Sequence, residues 1–185
     1  QYYEGVGANQ LVADPSRRQA VSYDSNGDRV AAHLYRPPGV AEDERTPGIV
    51  MTGPISSVKE QTVPHYAERL ADAGYTVLTF DPRNFGESEG TPRFHYVPER
   101  VVDDYCNGVG YMITRDDVDP ARIATVGVCM GGGFAVSAAA RDRRVVATAS
   151  VAGGYDVGAT MQMLMGVEEF AAAAGLERVR SLWLM

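Results

Sequence analysis

Histidine, cysteine and positive charge are all scarce in this sequence, and each scarcity removes a class of protein. Two cysteines, Cys106 and Cys129, stand in 185 residues. That is too few for the disulfide framework of a secreted scaffold, so a reducing, cytoplasmic setting is the default expectation. Lys and Arg number 17 against 24 Asp and Glu, for a formal net charge of −7. Nucleic acid and anionic membrane surfaces are poor partners for such a balance. No run of about 18 apolar residues occurs, so nothing reads as a membrane-spanning helix. Gln1-Tyr2-Tyr3-Glu4-Gly5 carries neither an initiating Met nor a signal-peptide pattern. The expectation is a chain that starts inside a longer gene product or has been trimmed.

What is present suits a globular domain: 45% hydrophobic and 22% charged residues, in a chain long enough for one core. Residues 18–23 and 29–35 alternate as two antiparallel strands around Ser25-Asn26-Gly27-Asp28, a hairpin signal. Gly48-Ile49-Val50-Met51-Thr52 is a continuous apolar run, as in a strand buried on both faces. Val63, Tyr66, Ala67, Leu70 and Ala71 follow helical spacing up to Gly74. A buried strand over 75–80, a helix over 101–113, a turn over 117–122 and a strand over 122–127 follow. Then come a helix over 130–141 and a further buried strand over 145–151. This β-α alternation predicts an α/β fold with a mostly parallel sheet, helices on both faces and ligands at the strand C-terminal edge.

Gly127-Val128-Cys129-Met130-Gly131 is the sharpest local pattern. A nucleophile on a tight strand-to-helix turn needs small residues two before and two after it, because its backbone leaves no room there. The helix starting at Met130 aims its positive end at the thiol, which favours thiolate and oxyanion alike. The bland alternative is a buried Cys in a glycine-rich turn, and for the motif alone that reading prevails. Cofactor loops fit worse. A dinucleotide fingerprint needs a second glycine where Cys129 stands, and no Gly-Lys-Ser/Thr occurs for a phosphate loop. Gly53-Pro54-Ile55-Ser56-Ser57 follows the first buried strand, where a second oxyanion donor is expected. Pro54 has no N–H, so Ile55 is the candidate, with Ser56 next.

Together, Val58-Lys59-Glu60-Gln61-Thr62, Phe80-Asp81, Gly86-Glu87-Ser88-Glu89-Gly90-Thr91-Pro92-Arg93-Phe94 and Gly127-Val128-Cys129-Met130-Gly131-Gly132 resemble the dienelactone-hydrolase-like branch of the α/β-hydrolase superfamily, over residues 18–158. The resemblance implies the α/β-hydrolase fold, no metal or organic cofactor, and a small-molecule acyl substrate. It further implies hydrolysis of an ester, lactone or thioester through an acyl-enzyme on Cys129, with Met130 and Ile55 N–H groups holding the oxyanion.

A thiol nucleophile also needs a base and an orienting acid. His33, His65 and His95 all precede Cys129, whereas the family order places acid and His after it. His33 reads as a strand-face residue and His65 as surface or packing. His95 lies in a loop that can approach the site without a family role. Asp156 is the one carboxylate well placed near the strand edge, although a helix-cap role fits it equally. Asp81 and Glu87 read as turn stabilisers, and Lys59 and Glu60 as a pair near the oxyanion loop or as solvated charges. The expected organisation is an N-terminal extension over 1–17, a core over 18–156 lacking the C-terminal strands, and a helical cap-like segment over 157–185. Met161, Met163, Leu164 and Met165 fit a pocket cap, core packing or an oligomer contact. An uncovered last strand would favour a homo-oligomer. A fragment, a chain completed by a partner and a non-catalytic binding relative all remain open readings.

Overall fold

The structure is a computed structural model that describes residues 13–41 and 44–165. Strands β1 (Arg18–Ser25) and β2 (Asp28–Tyr35) form the expected hairpin, paired in register from Ser25↔Asp28 to Arg18↔Tyr35. Asn26 and Gly27 take φ values of 55° and 91°. Two successive positive φ angles are what a two-residue turn needs to match strand twist, and Asn-Gly supplies them at little cost.

The chain then alternates β3 (Thr46–Thr52), α1 (Val63–Asp72), β4 (Thr76–Phe80), α2 (Pro98–Ile113), β5 (Val118–Val128), α3 (Met130–Arg141) and β6 (Val145–Val151). The sheet order is β1-β2-β4-β3-β5-β6. The hairpin joins β4 antiparallel, and β4, β3, β5 and β6 run parallel. Alternation along β3 shows why both faces are covered. Ile49 and Met51 pack with Val63, Ala67 and Ala71 of α1. Gly48 and Val50 face the other way, against Met112 and Gly108 of α2. Helix α3 lies on the α2 side, its Ala135 carbonyl accepting from Thr125 Oγ1 at 3.0 Å.

Two expectations are corrected. The stretch expected as a turn over 117–122 is mostly strand, since β5 begins at Val118. Val118 pairs with Thr46, and the register shifts before Ile123 meets Gly48. Such an irregularity tolerates Pro120, which has no N–H for a regular ladder. The strand over 145–151 is present but not buried: it is outermost among the described strands, and Val146 is 64% exposed. Apolar content alone does not distinguish an inner strand from an edge.

A second compact unit begins at Gly154. Its described part is α4 (Val157–Met165), where Met163 is exposed. Residues 166–185 of the expected helical cap-like segment lie outside the described residues, as does the N-terminal extension before residue 13. The rest of that extension forms a 3-10 turn, Pro15–Arg17, capped by the Asp14 carboxylate. No helix among the described residues is long and apolar enough to cross a membrane.

Candidate active site

Strand β5 runs into α3 through a single residue, Cys129, with φ 56° and ψ −126°. A non-glycine residue in so sparsely populated a region costs about 1–3 kcal/mol and persists only where its surroundings over-determine it. They do. The Cys129 N–H donates to the Val151 carbonyl at 2.9 Å, and the Cys129 carbonyl accepts from Gly132 N–H at 2.9 Å. A methyl group on Gly127 would overlap the Gly131 carbonyl, and one on Gly131 would stand 2.6 Å from the Thr52 carbonyl oxygen. The flanking glycines are thus a steric requirement of the turn. Cys129 is half-buried, and its thiol, like that of Cys106, is free.

The loop after β3 closes against this turn. Gly131 N–H donates to the Gly53 carbonyl at 3.2 Å, and Ser57 N–H closes a turn on the Pro54 carbonyl at 3.0 Å. Thr52 and Gly127 are register partners, so the β3 and β5 ends stand side by side. Ile55 and Met130 are therefore brought to one edge of the sheet, on neighbouring segments. Among the described residues, neither backbone N–H has a protein acceptor. The Tyr105 hydroxyl braces the same junction. It accepts from Thr52 N–H at 3.1 Å and shares its proton between the carbonyls of Val126 and Gly131, at 2.8 and 3.1 Å.

Two buried ionic clusters hold the loops beyond. Lys59 Nζ, almost fully buried, lies 3.0 Å from Asp81, 2.7 Å from Glu87 and 2.7 Å from Glu60. Burial works against the ammonium, but hydrogen bonds to the three carboxylates outweigh it and hold its pKa well above the ordinary lysine value. Asp81 also accepts from the Lys59 and Glu87 N–H groups, at 2.6 and 2.9 Å. The expected turn-stabilising role of Asp81 and Glu87 is what the structure has, and Lys59 with Glu60 belongs to the same cluster. In the second cluster, Arg83 Nε and N–H meet the fully buried Asp104 at 2.6 and 2.9 Å, and Ser25 Oγ donates to it at 2.6 Å. Burial pushes the Asp104 carboxyl up despite these donors. Sequence reasoning missed this pair and the Tyr105 brace, because nothing in their spacing announces convergence.

The remaining candidates stand apart. His33 is buried on β2 with Nε2 3.6 Å from Glu60. His65 lines a surface groove with Arg17, Thr62 and Tyr66, and His95 is exposed. Among the described residues, no hydrogen bond or ion pair joins a histidine to Cys129. Asp156 caps α4, its carboxylate accepting from Ala159 N–H at 2.9 Å. No group of three His, Cys, Asp or Glu suited to a metal ion forms among the described residues.

Comparison with known proteins fits this geometry. The uncharacterized protein PA2218 of Pseudomonas aeruginosa is 37% identical over 137 residues, 74% of this chain and 37% of its own length. Its crystal structure matches with a TM-score of 0.74 at 32% identity, covering 89% of this chain and 51% of that one. The quorum-quenching protein AidA of Acinetobacter baumannii is 35% identical over 130 residues, 70% of this chain and 42% of its own length. The thiohydrolase aneE of Aspergillus aculeatus is 41% identical over 99 residues, 54% of this chain and 31% of its own length. The chain spans less than half the length of each of these curated relatives. The model of the dienelactone hydrolase family matches residues 30–172, and with an α/β-hydrolase sheet whose β5–α3 turn carries Cys129, this chain belongs to the dienelactone hydrolase family.

Proposed function

We propose that the protein hydrolyses an ester, lactone or thioester through an acyl-enzyme on Cys129. The observation that carries this reading is the backbone of Cys129, held at φ 56° and ψ −126° between a strand end and a helix start. A strained nucleophile turn of this kind lifts its side chain above the sheet edge. The Cys129 thiolate attacks the acyl carbonyl carbon and a C–S bond forms. The carbonyl electron pair moves to oxygen, where the Ile55 and Met130 N–H groups receive it with the positive end of α3 behind them. Collapse expels the alcohol or thiol, which takes up a proton. Water then attacks the thioester, releasing the carboxylic acid and restoring the thiol.

The base is assigned to none of the three histidines where they stand. In the family pattern it comes from loops after later strands, so assays use the protein as encoded. The likeness to the thiohydrolase aneE supports a thioester as one substrate class. Two free cysteines support a reducing, cytoplasmic setting.

Chromogenic short-chain esters and thioesters test the reading. Wild type is expected to turn them over and to gain the mass of the acyl group under acid quench. Cys129→Ala is expected to do neither. Equal rates in the two proteins would remove Cys129 from the chemistry.

A further inference from the structure

The loop after β4 places one polar group, in an aromatic wall flanking the Cys129 turn, that no hydrogen bond uses. Tyr96 packs its ring against Phe85 and Phe134, with centroids 5.4 and 5.9 Å away. Phe134 sits one helical turn beyond Met130 on α3, so this aromatic wall flanks the elbow. The Tyr96 hydroxyl is buried and has no partner among the described residues. Its loop is not loosely held. Asn84 Nδ2 donates to the His95 carbonyl at 2.9 Å, and Phe94 N–H donates to the Asn84 carbonyl at 2.9 Å.

Burying a phenolic hydroxyl without a partner is unfavourable, and tyrosines buried in cores nearly always find one. A phenylalanine would fill the same space without that penalty. Burial raises the Tyr96 pKa far above its ordinary value, and the nearby Cys129 raises it further. The group is therefore a fully protonated donor at neutral pH. A donor so held, beside a nucleophile, is satisfied when a ligand brings an acceptor.

We infer that the Tyr96 hydroxyl contacts the substrate, donating a hydrogen bond to an oxygen in its acyl portion other than the carbonyl oxygen held by Ile55 and Met130. This rests on the acyl-enzyme reading above and adds a substrate class: acyl groups carrying an ether or hydroxyl oxygen near the reacting carbonyl. A site built around a buried donor discriminates strongly against analogues that leave it unpaired.

The test uses isosteric pairs of p-nitrophenyl esters, methoxyacetyl against butanoyl and 3-methoxypropanoyl against pentanoyl, in wild type and Tyr96→Phe. The ratio of ratios cancels the intrinsic reactivity of each ester. For at least one pair, wild type is expected to prefer the ether about tenfold more in kcat/KM than Tyr96→Phe does. Equal losses on both members of each pair, or no loss on either, overturn the inference. So does a thermal midpoint that falls in Tyr96→Phe, because the hydroxyl would then have a structural partner. If wild type turns over none of these esters, the acyl-enzyme reading fails on them and binding decides the role of Tyr96 separately. The matching anilides are titrated into Cys129→Ala with and without Tyr96→Phe. A tenfold weakening confined to an ether-bearing anilide upholds the contact, and equal affinities overturn it.

Discussion

The Tyr105 hydroxyl and the Val126 carbonyl meet at 2.8 Å, inside the protein, two residues before the strand gives way to the elbow. The same oxygen accepts from Thr52 N–H and reaches the Gly131 carbonyl. One side chain from α2 thus ties together the ends of β3 and β5 and the first turn of α3. Replacing Tyr105 with Phe keeps the ring and its edge-on packing with Phe80 at 5.0 Å, but leaves a buried Thr52 N–H unpaired. Such an orphan costs about 1–3 kcal/mol. The urea midpoint of Tyr105→Phe is expected to fall accordingly, with kcat falling more than KM rises, because the brace positions the elbow without touching substrate. An unchanged midpoint would mean that the brace contributes nothing.

Two glycines are expected to respond to alanine with opposite signs. Gly127→Ala drives a methyl group into the Gly131 backbone, and neither segment can retreat without opening the elbow. A loss of about 3 kcal/mol, the upper end of overpacking, is expected, with no labelled acyl-enzyme. Gly110 lies in α2, and a methyl there meets only Arg144 Nη1 at 3.6 Å, an ordinary contact. Gly110→Ala should stabilise by about 0.5–1 kcal/mol through helix propensity. Thermal melts of the two variants side by side check both signs.

Around Lys59, burial rather than distance decides which partner matters. Glu87 lies closer to the ammonium than Asp81 does, at 2.7 against 3.0 Å, yet Glu87 is 75% exposed and Asp81 is fully buried. Lys59→Met leaves Asp81 as a buried, uncompensated carboxylate, which costs about 3–5 kcal/mol. Glu87→Gln removes a screened pair and is expected to cost no more than about 1 kcal/mol. Chemical denaturation of both variants should separate them clearly. Comparable losses would show that the exposed carboxylate carries the cluster.

How far such features can be read from sequence depends on whether they are local. The Asn26-Gly27 turn and the Gly127–Gly131 elbow were legible, because positive φ angles and the absence of room for a Cβ select residue types within a few positions. Helices α1 and α2 are legible from apolar spacing on their buried faces, and α3 as the small-residue stretch that follows the elbow. Tyr105 is less so: in the sequence it is one residue of the helix expected over 101–113, while its hydroxyl serves three elements that only the fold brings together. Arg83 and Asp104 lie 21 residues apart with no periodicity to link them. The start of β5 departs from the turn expected over 117–122, because a strand there accommodates Pro120 only through a register shift that local sequence does not announce. Asp156 carried two readings, of which the cap is the one seen in its hydrogen bond to Ala159.

His33 gives the protein a pH dependence with a definite sign. It lies opposite Thr79 in the β2–β4 register, buried, with Nδ1 unpartnered. Burial is the largest influence on its imidazole and disfavours the charged form. Lys59 and Arg18 oppose protonation as well, while Glu60 and Asp81 favour it, and the pKa settles below the ordinary 6.5. As pH falls through about 6.5 the unfolded chain takes up a proton that the folded chain still refuses. The unfolded state then binds more protons, so stability falls with falling pH, with a slope of at most about 1.4 kcal/mol per pH unit for one group. Full stability from His33 is therefore expected above about pH 6.5, declining towards its lower folded pKa. The Glu87 carboxyl, held low by its hydrogen bond to Lys59, acts in the same direction but only below its ordinary 4.5. Urea midpoints at pH 7.5, 6.0 and 5.0 isolate the histidine. Wild type should lose stability across that range, and His33→Gln should lose markedly less while keeping the acid transition of the carboxylates. Parallel profiles would assign the dependence to another group.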